Sequence, residues 1–147
     1  MAQTPSDIYG AFANYVQEQV PNLTGGVWVT DEPEGVEMPY GVVTDDGFQT
    51  VWNTEDEFVD AGGLTVHCFA GNVDTARNLA QEVKVLFGNS NLTTLGQIQT
   101  DDSFQFIEIT RKAFQLTVEP DPDLTGNRVY HYEVGFKVQV QGNYFGN

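Results

Sequence analysis

Hydrophobic and polar positions alternate most regularly near the C-terminus, over residues 128–141. Because successive side chains of a β-strand point to opposite faces of a sheet, this period of two predicts a strand with one buried face. A slip of one residue would turn the aromatic face to solvent, so the pattern also fixes the register. The predicted buried face consists of Tyr130, Tyr132, Val134, Phe136, Val138 and Val140.

Two segments repeat their apolar positions at helical spacing. The first follows Ser6, which favours the N-cap position, and Pro21 prevents its continuation, so it predicts a helix over residues 7–20. Either Asn72 or Asp74 can cap the second helix, which ends before Gly88. The apolar stripe of that second helix consists of Ala76, Leu79, Ala80, Val83, Leu86 and Phe87.

The other apolar segments are short and bounded by turn-forming residues, which predicts strands. Residues 44–47 (TDDG) have the composition of a hairpin turn, so residues 48–52 are predicted to form the returning strand. A bend at residues 111–112 is predicted to separate two later strands. The predicted strands span residues 26–30, 39–43, 48–52, 64–70, 97–100, 104–110, 114–118 and 128–141.

This order of elements predicts one α+β domain over residues 1–147. Each predicted helix has a single apolar stripe and must bury it against a sheet. We therefore expect an antiparallel or mixed β-sheet with two helices packed on one face. The acidic segment at about residues 45–63 is predicted to be an extended loop or a β-arm of this domain.

Charge is the most skewed property of the composition. The chain has 21 acidic residues against 6 Lys and Arg, a formal charge of −15. Proteins that bind nucleic acid neutralise its phosphates with clustered Lys and Arg residues. Here these residues are scattered, so we do not expect nucleic-acid binding. High acidity also aids solubility, with no further role. The sequence has no apolar run of about 18 residues, so we do not expect it to contact membranes. It also lacks a secretory leader pattern, so we expect the chain to be made in a cytoplasm.

The segment from Asp121 to Gly126 resembles the start of a calcium loop. An EF-hand requires a bidentate Glu at position twelve and flanking helices. Position twelve is Tyr132, Glu133 misses it by one, and the flanking segments are predicted strands. We therefore interpret residues 120–127 as a hairpin connection and expect no metal site there.

The remaining candidate chemistry is sparse. His67 and Cys68 are neighbours on a predicted strand, so their side chains point to opposite faces and cannot form a dyad. His131 is predicted to stand alone on the polar side of its strand, and both histidines are interpreted as surface or satisfied core residues. The sequence has no phosphate-binding loop and no Gly-x-Ser-x-Gly elbow. We expect no catalytic, cofactor or metal site, and a protein that is not an enzyme.

Apolar residues within the acidic segment are candidates for a subunit interface. Large apolar side chains in a polar, exposed segment often anchor a partner. The alternative is that they fold back onto their own sheet. The candidate interface residues are Phe48, Val51, Trp52, Phe58 and Val59.

Four segments together resemble the tail terminator, or tail-completion, proteins of long-tailed bacteriophages. They are an opening helix (SDIYGAFANYVQEQV), a proline-led strand (MPYGVV), a strand entering an alanine-bearing helix (LTVHCFAGNVDTARNLAQEVKVLF) and a closing aromatic strand (NRVYHYEVGFKVQV). The resemblance implies a ring-forming subunit, usually hexameric, that caps the head-proximal end of the tail tube, stops its polymerisation and offers a docking face to the head or neck.

The resemblance also implies partners and a location. The partners are copies of the chain itself, the tail tube protein and head or neck connector proteins, with genomic DNA passing through without specific binding. The subunit is assembled in the host cytoplasm and ends in the virion. The alternatives are another head-to-tail joining protein, such as a neck or head-completion protein, and a non-viral acidic binding module.

Overall fold

A computed structural model of the chain describes residues 5–30, 35–86, 95, 98, 104–119 and 129–143. Within these residues the chain has an α+β fold, as predicted. In chain order the elements are α1 (Pro5–Gln19), β1 (Val27–Val29), β2 (Tyr40–Asn53), β3 (Glu57–Ala70), α2 (Val73–Leu86), β4 (Phe104–Glu119) and β5 (Val129–Asn143). Neither helix in the described part of the chain is long and apolar enough to cross a membrane.

The strands form one mixed sheet in the order β1-β2-β3-β5-β4. The short strand β1 is parallel to β2, and the other pairs are antiparallel. β3 pairs with β5 along its whole length, from Glu57 opposite Asn143 to Ala70 opposite Tyr130. These two strands form the centre of the sheet, whereas β4 lies at an edge.

Both helices pack on the same face of the sheet and bury most of the predicted apolar positions. Of the predicted stripe of α2, Leu86 is half-buried and Phe87 lies outside the described residues. Phe12 of α1 contacts Phe136 of β5, with 5.8 Å between ring centroids, and Phe106 of β4 at 6.4 Å. The alternating face of β5 is buried from Tyr132 to Val140, which confirms the register predicted from its pattern. α2 contributes Ala76, Leu79, Ala80 and Val83 to the same core.

The predicted hairpin turn at residues 44–47 is wrong. β2 runs through this segment, and a β-bulge lies between Asp45 and Phe48. Gly47 adopts a φ of 104°, and its backbone N–H donates to Asp45 Oδ1 at 2.6 Å. The same turn-forming residues therefore kink a continuous strand instead of reversing it, and the chain reverses at residues 54–56.

Two other boundaries differ from the predictions. β4 is a single strand through Arg111, where a bulge replaces the predicted bend. α1 already includes Pro5, so Ser6 lies inside the helix rather than at its cap.

Asn72 is confirmed as a cap of α2, because its side-chain oxygen accepts the backbone N–H of Thr75 at 2.8 Å.

Two predicted features lie largely outside the described residues. Of the predicted strand over residues 97–100, only Ile98 is described. The calcium-loop candidate also falls mostly outside them, since residues 120–128 are not described. The strands on either side of that segment, β4 and β5, are antiparallel and bring Glu119 opposite Val129.

Candidate functional site

The acidic segment over residues 45–63 is the outer half of the β2–β3 hairpin. It is strand structure, and β5 pairs with it from Glu57 onward. On the other side, β1 pairs only with residues 41–43 of β2. Among the described residues, no strand lies beside β2 past Val43 on that side, so the outer part of β2 is a sheet edge.

The five candidate interface residues divide into an exposed pair and a partly or fully buried group. Val51 is 53% exposed and Trp52 is 49% exposed. Val51 is the extra residue of a second bulge in β2, between Thr50 and Trp52. Both apolar side chains are therefore presented to solvent close to the end of the hairpin.

Phe48, Phe58 and Val59 instead pack against the protein itself to different degrees. Phe48 is half-buried against the core, with its ring 6.3 Å from that of Tyr9. Phe58 is only 3% exposed, and Val59 is half-buried. For Phe58 the structure favours the alternative that the side chain folds back onto its own sheet, and for Phe48 it does so in part.

The end of the hairpin is strongly acidic. Between residues 45 and 63 there is no Lys or Arg. Local hydrogen bonds fix several of the carboxylates, since Thr65 donates to Asp46 Oδ2 at 2.7 Å and Thr50 donates to Asp60 Oδ1 at 2.7 Å. The acidic residues of this region are Asp45, Asp46, Glu55, Asp56, Glu57 and Asp60.

The opposite edge of the sheet has a different character. β4 pairs only with β5 among the described strands, so its other side is also an edge. Exposed Arg111 and the adjacent Lys112 lie on this strand, at its bulge. The chain thus presents one acidic edge with two exposed apolar side chains and a second edge that includes two of its six basic residues.

The sheet face opposite the helices holds a cluster of rings that the sequence pattern does not predict. Tyr40 of β2 stacks on Phe69 of β3 at 4.9 Å between centroids. Phe69 stacks in turn on His131 of β5 at 4.4 Å and an interplanar angle of 17°. These contacts explain why His131 is buried on a face that the helices do not cover.

The prediction that His131 stands alone is wrong, because it contacts His67. His67 Nδ1 lies 2.6 Å from His131 Nε2 and 3.4 Å from Glu133 Oε1. On its other side, His67 Nε2 lies 2.7 Å from Thr44 Oγ1. The two histidines are separated by 64 residues, and only the β3–β5 register, which the sequence does not state, brings them together.

Cys68 lies on the helix-covered face, opposite to His67, as predicted. It is fully buried. Burial, with a smaller effect of the Glu82 carboxylate, raises the pKa of Cys68 to about 12. Since the thiolate is the reactive form, this side chain acts as a small apolar core residue.

No protein-family model and no curated protein matches this sequence. Among solved structures, a chain from the virion of a native gene transfer agent (GTA) particle has a similar fold; the two are 9% identical, the match covers 93% of each chain, and the TM-score is 0.57. A second solved structure, 13% identical over 93% of this chain and 96% of its own, has a TM-score of 0.48. The first likeness shows that this chain shares its fold with the GTA chain.

Proposed function

We propose that this chain is a structural protein of a phage-like virion, and specifically a tail terminator that assembles into a ring at the head-proximal end of the tail tube. The main support is the hairpin end, where Val51 and Trp52 are half exposed on a strand that has a free edge among the described residues. Exposed apolar side chains beside an unpaired sheet edge are the features of a surface that another subunit covers.

The two sheet edges suit head-to-tail assembly. A closed ring requires heterologous contacts, in which one patch of a subunit meets a different patch of its neighbour. The outer part of β2 has acidic residues and no basic ones, whereas β4 has two basic residues, Arg111 and Lys112, and two acidic ones, Glu108 and Glu119. Pairing the β2 edge of one copy with the β4 edge of the next would extend the sheet across the subunit boundary.

The net charge fits a channel for DNA. With a formal charge of −15, a ring of these subunits would repel phosphates and let genomic DNA pass without adhesion. The GTA chain that shares this fold belongs to a virion, which supports a structural role in a phage-like particle. The terminator assignment itself rests on the sequence resemblance together with these surfaces.

Tube capping tests this proposal. The purified chain is added to tail tube protein, encoded by the same genome, while tubes grow, and their lengths are measured by electron microscopy. A terminator shortens tubes in proportion to its concentration and appears as extra density at one end only. Tubes of unchanged length without end density would refute the terminator role. In that case, binding of the chain to connector proteins of the same genome, measured separately, would favour another head-to-tail joining protein.

A further inference from the structure

We propose that His67, His131 and Glu133 form a binding site for a divalent transition metal ion of the zinc type. The three side chains project from neighbouring central strands onto the sheet face that the helices leave open. β3 places His67 opposite Glu133, and His131 precedes Glu133 by two residues on the same face of β5. This site does not depend on the proposed role in a tail.

The donor atoms already converge. One nitrogen from each histidine and one oxygen of Glu133 lie within 4.8 Å of one another. In a tetrahedral zinc site with bonds of about 2.0–2.1 Å, neighbouring ligand atoms are about 3.3 Å apart. The 3.4 Å between His67 Nδ1 and Glu133 Oε1 matches this value. The 2.6 Å between the two histidine nitrogens must widen by about 0.7 Å, which small side-chain rotations achieve.

Neighbouring groups orient the two rings for ligation. When His67 donates its Nε2–H to Thr44 Oγ1, at 2.7 Å, its Nδ1 lone pair points toward His131 and Glu133. A hydrogen bond from the second ring nitrogen is the usual way in which proteins fix the tautomer and orientation of a ligating histidine. Stacking on Phe69 holds the plane of His131. The site therefore has supporting contacts in addition to its ligands.

The donor set selects the class of metal. Two imidazoles and one carboxylate suit zinc and related transition metals, whereas magnesium and calcium prefer oxygen ligands only. Three protein ligands leave one position of a tetrahedral ion for water. The acidic surface attracts any cation, so selectivity for zinc over magnesium must come from the histidines.

Imidazole NMR provides a direct test, because the chain has only two histidines. The untagged full chain is treated with a chelator, and long-range ¹H–¹⁵N spectra of the rings are recorded while zinc chloride is added. We expect His67 Nδ1 and His131 Nε2 to shift together and to stop shifting at one equivalent. Magnesium chloride at the same concentration should shift neither ring. Zinc shifts that stay absent, or that continue through many equivalents, would overturn the proposal.

Two matched carboxylate variants distinguish zinc binding at this site from the general attraction of cations to the acidic surface. Glu133→Gln and Glu108→Gln each remove one carboxylate, and Glu108 lies on the same face of the sheet, opposite Gln139. Titration calorimetry should show zinc affinity falling by at least about tenfold for Glu133→Gln, since loss of a ligand costs no less than loss of a group that only orients one. For Glu108→Gln, which is outside the site, the affinity should remain within about two-fold of wild type. Equal affinities in the two variants would refute the site. Glu133 is one third exposed, so its substitution should leave the chain folded. The comparison therefore does not require a variant at His131, which is buried.

Discussion

The ring of Phe58 lies directly over Gly142, its cross-strand partner at the outer end of the β3–β5 pair. A Cβ atom added at Gly142 would stand 2.5 Å from Phe58 Cζ, closer than any packed side chain tolerates. The missing side chain on β5 is therefore what lets Phe58 fold onto its own sheet. The same contact fixes the outer end of the β2–β3 hairpin, close to the exposed side chains of Val51 and Trp52.

Gly142→Ala should destabilise the fold by about 1–3 kcal/mol, because the new methyl group displaces the Phe58 ring. Urea unfolding followed by circular dichroism measures the change. Gly10→Ala in α1 is the matched control, since no heavy atom lies within 4 Å of a Cβ at that position. The control should be neutral or stabilising by up to about 1 kcal/mol. Equal effects of the two substitutions would mean that the Phe58–Gly142 contact contributes little.

The double substitution Val51→Ser and Trp52→Ser should leave the monomer folded but weaken self-association at least tenfold. Both side chains are about half exposed, so their loss costs the isolated chain little, whereas apolar anchors at the centre of an interface often contribute 2 kcal/mol or more. Sedimentation velocity over a concentration series measures the association. Val85→Ser is the control, because Val85 is 68% exposed on α2, away from the hairpin. An assembly defect as large in the control would contradict the assigned interface.

Phe136→Ala should cost about 3–5 kcal/mol of unfolding free energy. Phe136 is fully buried and meets Phe12 of α1 edge to face, so truncation leaves a cavity between helix and sheet. Phe136→Leu removes less volume and should cost about 1–2 kcal/mol, less than the truncation to Ala. Chemical denaturation of both variants checks the difference, and similar costs would show that the cavity collapses without penalty.

Cys68 should resist alkylation in the native state and react once the chain unfolds. Its pKa rises from 9.0 to about 12 on folding, so its contribution to stability is complete below about pH 9 and is lost as the pH rises toward 12. Iodoacetamide labelling at pH 8, with and without urea, measures whether the thiol is protected in the native state. The urea midpoint of unfolding should be lower at pH 10 than at pH 8. Rapid stoichiometric labelling of the native protein would show that the thiol is accessible.

The sequence predicted elements with strong periodicity well. Strand β5 and its buried face followed from strict alternation, and α2 followed from its stripe and the Asn72 cap. Residues 44–47 were misinterpreted because a glycine at positive φ after two aspartates serves a bulge as well as a turn. Composition does not distinguish these two outcomes, since the choice depends on whether the partner strand continues past the kink.

The candidate sites were predicted less well because they depend on contacts distant in the chain. Phe58 has the sequence surroundings of an exposed anchor, but in the structure it is buried and packs over Gly142 on the neighbouring strand. His67 and His131 meet through the register of two strands with α2 and β4 between them in the chain. Trp52 and Val51 remain exposed in the structure, and their role in assembly stays a prediction.

Self-assembly of the purified chain is the most direct test of the account. Negative-stain electron microscopy, combined with sedimentation velocity, is carried out across concentrations up to the solubility limit. We expect closed rings whose mass is a fixed multiple of 16.3 kDa, with six subunits as the number that the family resemblance implies. Particles that remain single 16.3 kDa chains at every concentration would contradict the account.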